Sequence, residues 1–197
     1  FDRMFDIFGF QTRNKSTLSA IRDKDGDLIY EANQSFEGDS SSYGFQIDWT
    51  DDRTDPQKGI RLIYTTSDSP AVDSDSPDFY VQSYNATFYV PVFSYSTFAF
   101  NWYRSGATVR KQGNTDLDFL IAKETATCLS NCDSDTINIL AKNRQATNLY
   151  GSGGNLGGTE RLRSYVGGRY SGAQVESRGA ELRWNLSDDK VSFDWYF

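Results

Sequence analysis

Alternation with a period of two is the feature that most constrains this chain. Tyr43, Phe45, Ile47 and Trp49 are interleaved with Gly44, Gln46, Asp48 and Thr50. A strand sends successive side chains to opposite faces, so such a run makes a sheet with one apolar and one polar side. The pattern recurs over residues 60–66 and 79–90, where Tyr80, Tyr84, Phe88 and Val90 share a face with Gln82 and Ala86. Phe98, Phe100 and Trp102 alternate with Ala99, Asn101 and Tyr103. Leu182, Trp184 and Leu186 oppose Glu181, Arg183 and Asn185, and Val191, Phe193 and Trp195 oppose Ser192, Asp194 and Tyr196. Upstream of residue 40 the alternation weakens. There residues 16–22 and 27–36 are expected to pair across Asp23-Lys24-Asp25-Gly26, whose Asp-Gly suits a tight turn. The expected fold class is all-β and antiparallel.

A soluble sandwich would share this pattern, and the connections separate the two. They run over residues 51–59 (short), 67–78 (long), 91–94 (short), 105–175 (very long) and 187–190 (short). Short and long connections in strict alternation are the habit of a membrane barrel, with tight periplasmic turns and extended outer loops. Trp49, Tyr80, Tyr95, Trp102 and Trp184 fall near strand ends, where interfacial aromatic girdles lie. The expected architecture is therefore an antiparallel transmembrane β-barrel. Uninterrupted apolar runs are only a few residues long, so no helix here spans a bilayer.

Composition removes several chemistries. Without histidine there is no Ser-His-Asp triad, imidazole base or His-ligated zinc within the chain. Twenty basic residues against 27 acidic ones leave a net charge of −7, which disfavours a nucleic-acid groove. Asp23-x-Asp-Gly-Asp27 has the look of a calcium loop, but its glycine comes one place early and Gln34 stands where the loop needs Glu. A plain hairpin turn is the better reading. The glycine run 151–158 lacks the Gly-Lys-Ser/Thr ending of a phosphate loop, and Gly168-Arg-Tyr-Ser-Gly172 sets its serine one position late for a nucleophile elbow. Cys128 and Cys132, the only cysteines, have no second pair to complete a metal site. A small loop disulfide is expected of them, and with it an oxidising compartment, free thiols being the alternative. No catalysis, metal or cofactor is expected.

The glycine-rich half of the long connection carries a resemblance. Leu156-Gly-Gly158, Leu162-Arg-Ser-Tyr165, Gly168-Arg-Tyr170 and Ala180-Glu-Leu-Arg183 resemble the sixth extracellular loop and following strand of the BamA superfamily. Its members are sixteen-stranded outer-membrane barrels that insert or translocate proteins. The family's loop tetrad places an arginine in the lumen, against acidic groups on the next two strands. By position Leu162, Arg163, Ser164 and Tyr165 stand at that tetrad, followed by Gly168, Arg169 and Tyr170. The resemblance thus implies Arg163 as the inserted arginine, with Glu181 as its first partner beside Arg183 on the same face. The second acidic partner is implied to be Asp194 or a residue beyond the C-terminus. Asp51-Asp-Arg-Thr-Asp-Pro-Gln-Lys-Gly59 is similar to the family's Asp-x-Arg-x-x-Pro-x-x-Gly periplasmic turn, which singles out Asp52, Arg53, Pro56 and Gly59.

The resemblance covers residues 43–197 and implies the eighth to thirteenth strands of such a barrel. Residues 1–197 are then a partial barrel domain, and residues 105–175 a loop folded into the lumen. A bacterial outer membrane, its lipid, client polypeptides, and periplasmic domains or accessory subunits outside this sequence are implied with it. The opening Phe1-Asp2-Arg3 carries no initiator Met or leader, consistent with a removed signal or a start inside a longer protein. The ending Val191-Ser-Phe-Asp-Trp-Tyr-Phe197 also resembles the terminal signal of complete outer-membrane proteins. That leaves open a small complete barrel of about eight strands with a structural or adhesive role.

Overall fold

The computed structural model describes residues 4–18, 21–22, 28–30, 34–93, 96–127, 133–156, 161, 170–185 and 192–196. Seven strands form one antiparallel sheet: β1 (Met4–Leu18), β4 (Gln34–Thr50), β5 (Gly59–Ser69), β6 (Asp78–Phe93), β7 (Ser96–Lys111), β10 (Gln174–Asn185) and β11 (Ser192–Tyr196), in that spatial order. Each strand lies beside its predecessor in the sheet, a meander. Two small hairpins complete the strands: β2 (Ile21–Arg22) with β3 (Leu28–Tyr30), and β8 (Gly154–Leu156) with β9 (Tyr170–Gly172). The sheet is open. β1 and β11 are its two edges, and no pairing joins them among the described residues.

The upstream pairing is longer than expected. Ser16 stands opposite Phe36 and Ile21 opposite Tyr30, as the alternation proposed, but the ladder runs on from Leu18–Gln34 to Met4–Asp48. Apolar residues occupy both parities of β1 at its start, so its period is blurred. Phe5 and Ile7 point one way, while the Phe8 ring lies over Gly44 on the other face. The neighbouring ladder of β4 and β5 begins only at Ser42–Ser67, so residues 34–41 pair with β1 alone and project beyond the sheet.

The long connection corrects an expectation, for residues 112–173 hold two helices where only loop was foreseen. α1 spans Leu117–Thr127 and α2 Ser134–Tyr150. Neither has an apolar stripe to betray it, since Leu120 and Ala141 are the only fully buried apolar residues of the pair. Their signals are caps: Asp116 Oδ1 accepts from the amides of Asp118 and Phe119, and Asp133 Oδ1 from that of Thr136. The helical hairpin is closed by Arg144, whose Nε donates to Glu124. It sits at the long-loop end of the sheet, where Asn148 Nδ2 donates to the carbonyls of Asp75 (3.2 Å) and Asn114 (2.5 Å). Cys128 and Cys132 fall between the helices, outside the described residues.

At the other end of the sheet the β4–β5 turn demands glycine. Gly59 has φ +122°, and a Cβ there would stand 2.2 Å from the Trp49 carbonyl oxygen. Gly59→Ala is expected to cost about 3 kcal/mol in equilibrium unfolding, from a disfavoured φ and a backbone collision. Gly179→Ala, with nothing within 4 Å of its Cβ position, is the control and should change little.

Candidate functional site

The register sorts the two faces. Directly paired residues share a face, so Ile47, Leu62, Ala86 and Trp102 form one row and Asp48, Arg61, Thr87 and Asn101 the next, opposite one. The first face is apolar and uncovered. Ile7 is 78% exposed, Phe5 62%, Tyr43 60% and Trp49 53%, and Phe45, Phe88, Val90, Phe98 and Trp184 are exposed as well. An aromatic ladder crosses it from Phe5 to Phe45 (6.4 Å), Tyr64 (5.4 Å) and Tyr84 (5.1 Å). No helix or hairpin among the described residues packs on it.

The second face is polar, and its groups are paired. Asp48, 1% exposed, accepts from the Thr50 amide (3.1 Å), the Thr50 hydroxyl (2.6 Å) and Arg61 Nε (2.8 Å). Asn101 Nδ2 donates to Asn85 Oδ1 (2.7 Å) and Thr87 Oγ1 (2.8 Å). Glu181 Oε1 accepts from Arg183 Nε (2.5 Å), and the Arg183 guanidinium stands 5.5 Å from the centre of the Tyr89 ring.

Connections close over this polar face from both ends. β10 lies three strand spacings from β5, about 14 Å across a flat sheet. Arg183 Nη1 nevertheless comes within 4.0 Å of Asp55, which belongs to the β4–β5 turn. The turn therefore leans across the polar face, and Pro56 is buried beneath it. Arg61 Nη2 ties the turn down by donating to the Arg53 carbonyl (2.9 Å). From the long-loop end, the chain leaves α2 at Gly151 and lies against Phe79 and Ala107. Ser105 Oγ donates to the Gly153 carbonyl, and Gly154 lies over Val175 and the Tyr103 hydroxyl. Farther along, the Arg161 guanidinium carbon sits 3.6 Å from the centre of the Tyr103 ring, within cation–π range. We call the described part of this segment, residues 151–156, 161 and 170–173, the strap.

The foreseen turn residues meet in one place. Asp52 Oδ1 accepts from the amides of Thr54 (2.7 Å) and Asp55 (3.0 Å), beside Arg53, Pro56 and Gly59 as above. Glu181 lies on the polar face as its parity requires, with Arg183 as its partner. Leu162, Arg163, Ser164, Tyr165, Gly168 and Arg169 lie outside the described residues, so the Arg163–Glu181 clamp is not among the contacts seen. Tyr170 opens β9, exposed and paired in register with Leu156. Asp194 stands opposite Arg183 in the backbone register.

Residues that sequence reasoning passed over are Asp48, Arg61, Tyr103, Ser105 and Arg161. The first four were accessible from their parity on the polar face alone. Asp51 was also passed over, though it orders the turn: its Oδ1 accepts from the amides of Lys58 (2.9 Å), Gln57 (3.0 Å) and Asp52 (3.1 Å). No cluster of metal-ligating side chains occurs among the described residues.

No family model, curated protein or solved structure matches this chain. The site is thus read from its own chemistry, beginning with the turn. Partial burial pushes the Asp51 carboxyl up, but the amides of Lys58, Gln57 and Asp52 together outweigh it and hold the carboxyl below its ordinary range. The amides of Asp55 and Thr54 lower Asp52 likewise. A carboxyl lowered by folding adds stability that is present above its unfolded value, about 4, and lost as pH falls through the folded value. Amide exchange at Thr54, Asp55, Gln57 and Lys58 is therefore expected to stay protected from neutral pH down to about 4.5, and to lose protection below about 4.

Proposed function

We propose that the chain builds the wall of an outer-membrane β-barrel that inserts or moves polypeptides, its long connection strapped over the lumenal face. The observation that carries the membrane reading is the inverted sheet, with exposed aromatic and aliphatic residues on one side and paired polar groups on the other. Each large apolar side chain left in water forgoes ~1.5–3 kcal/mol, and contiguous uncovered patches of this kind mark contact surfaces. Lipid supplies the missing cover on that side, and an aqueous lumen suits Asp48, Arg61, Glu181 and Arg183 on the other. An open edge is intolerable in hydrocarbon, so β1 and β11 must meet further strands there, as in a wall that is part of a larger barrel.

The polypeptide-handling role is supported by the strap, which lies on the polar face and carries an arginine against an inward tyrosine. It is supported also by the resemblance of residues 156–183 to the sixth loop of the BamA superfamily. Its partners are outer-membrane lipid, client polypeptides and, outside this sequence, periplasmic domains or accessory subunits. Its place is the bacterial outer membrane, where a Cys128–Cys132 disulfide would persist. No bond chemistry is proposed.

The test is reconstitution of the complete barrel that holds this wall in phosphatidylcholine vesicles, with an unfolded outer-membrane protein supplied from urea. Faster folding of that client than in empty vesicles is the expected result, and equal rates overturn the role. Arg161→Ala is expected to release the strap. A cation–π contact of ~1–2 kcal/mol corresponds to about tenfold faster limited proteolysis within residues 151–173. Arg110→Ala, which removes an exposed pair with Asp68 and Asp78, leaves that rate unchanged.

A further inference from the structure

On the outward face, the apolar run of β7 and β10 ends in a charged step. Nearer the turn end these strands present Phe98, Phe100, Ala180 and Leu182, and nearer the long-loop end Arg104, Glu176 and Arg178. Trp102 stands directly opposite Arg178, and Arg104 opposite Glu176. Glu176 Oε1 accepts from Trp102 Nε1 (3.1 Å) and Arg178 Nε (2.8 Å), with Arg178 Nη2 2.7 Å away. One carboxylate thus fixes an indole and a guanidinium side by side. A second guanidinium, that of Arg104, is exposed on the next row, flanked by Tyr84 on β6 and close enough to Glu176 to stabilise its charge, and among the described residues it donates no hydrogen bond. Arg110, farther out on the same strand, faces two carboxylates of its own, Asp78 (2.8 Å) and Asp68 (3.1 Å), which leave no net positive charge there, and lies over the Tyr80 ring.

The step therefore carries two cations against one anion, with donors unused, at the border of an apolar belt. Guanidinium groups bind phosphate bidentately, and Trp and Tyr settle at the level of lipid headgroups. We propose that Arg104 and Arg178, framed by Trp102 and Tyr84, hold the phosphate of an anionic membrane lipid in the leaflet at the long-loop end. The proposal rests on the outward face being the lipid face. A lipid fits better than a free ion because the step is flat and has no walls. Acyl chains lying on Phe98, Phe100 and Leu182 bring the phosphate to that depth at high effective concentration, which a dissolved ion lacks.

The test uses the complete barrel that holds this wall, folded in detergent and offered equal parts of phosphatidylglycerol and phosphatidylcholine, with retained lipid counted by native mass spectrometry. Each arginine near a headgroup contributes about a fivefold preference, so the wild type is expected to favour phosphatidylglycerol about thirtyfold. Arg104→Gln with Arg178→Gln should bring the ratio near one, and Arg104→Gln alone should remove about fivefold of it. Arg110→Gln should keep the full preference, and millimolar inorganic phosphate should displace nothing. A preference that survives in the double variant overturns the proposal, as does displacement by inorganic phosphate, which would mark a free-anion site. Retention of both lipids in equal amount by the wild type removes this site and leaves the lipid-facing reading standing. Retention of neither removes both.

Discussion

Phe88→Arg is expected to destabilise the membrane-inserted protein by about 2–4 kcal/mol, the cost of placing a guanidinium on the lipid side near mid-bilayer. Phe88 lies inside the apolar belt, between Ile60 and Phe100 in the register, and is 41% exposed. In water the same substitution would be close to neutral, because exposed positions away from special features change stability by about 0.5 kcal/mol or less. The two environments predict opposite outcomes for one residue. Gln46→Arg, on the polar face and half-buried, provides the matched control and should be tolerated in a hydrated lumen. Urea unfolding in vesicles reads both variants. Equal behaviour of the two would mean that the apolar face does not meet lipid.

Asp48→Ala should produce the second large effect, a loss of about 3 kcal/mol. Removing one partner of a buried ion pair leaves the other charge uncompensated, at a cost of about 3–5 kcal/mol. The lower end applies because the Arg61 side chain keeps 23% exposure. Three hydrogen bonds disappear with the carboxylate, two from Thr50 and one from Arg61. Arg61 also holds the Arg53 carbonyl, so the β4–β5 turn is expected to loosen with the wall. Asp48→Asn should cost less, since an amide oxygen still accepts from Thr50. Adding Arg61→Ala to Asp48→Ala should cost less than the sum of the two single losses, which a double-mutant cycle in urea measures.

The period-two strands were legible because each strand's face is a local property of its own residues. Trp49, Phe88 and Phe100 declared the apolar face, and Asp48, Asn101 and Glu181 the polar face, without knowledge of neighbours. β1 was not legible in this way, because Phe8 covers Gly44 on the polar face while Phe5 and Ile7 lie on the apolar one. The helices escaped because their sequences lack an apolar stripe, although Asp116 and Asp133 are recognisable caps. Glu181 stands on the face its parity gave it, beside Arg183, two residues on and of the same parity, while Arg163, its expected partner, lies outside the described residues. The meeting of Arg161 with Tyr103 was beyond reach, because it depends on the path of residues 112–160 through space. Loop residues have no parity to read.

The strap has a consequence for leakage. In the proposed barrel, a lumen lined with charged and amide groups also admits ions and small solutes. Residues 153, 154 and 161, held against Ser105 and Tyr103, lie on the lumenal side of that barrel and narrow the passage, so the contacts that order them also limit leakage while the protein is idle.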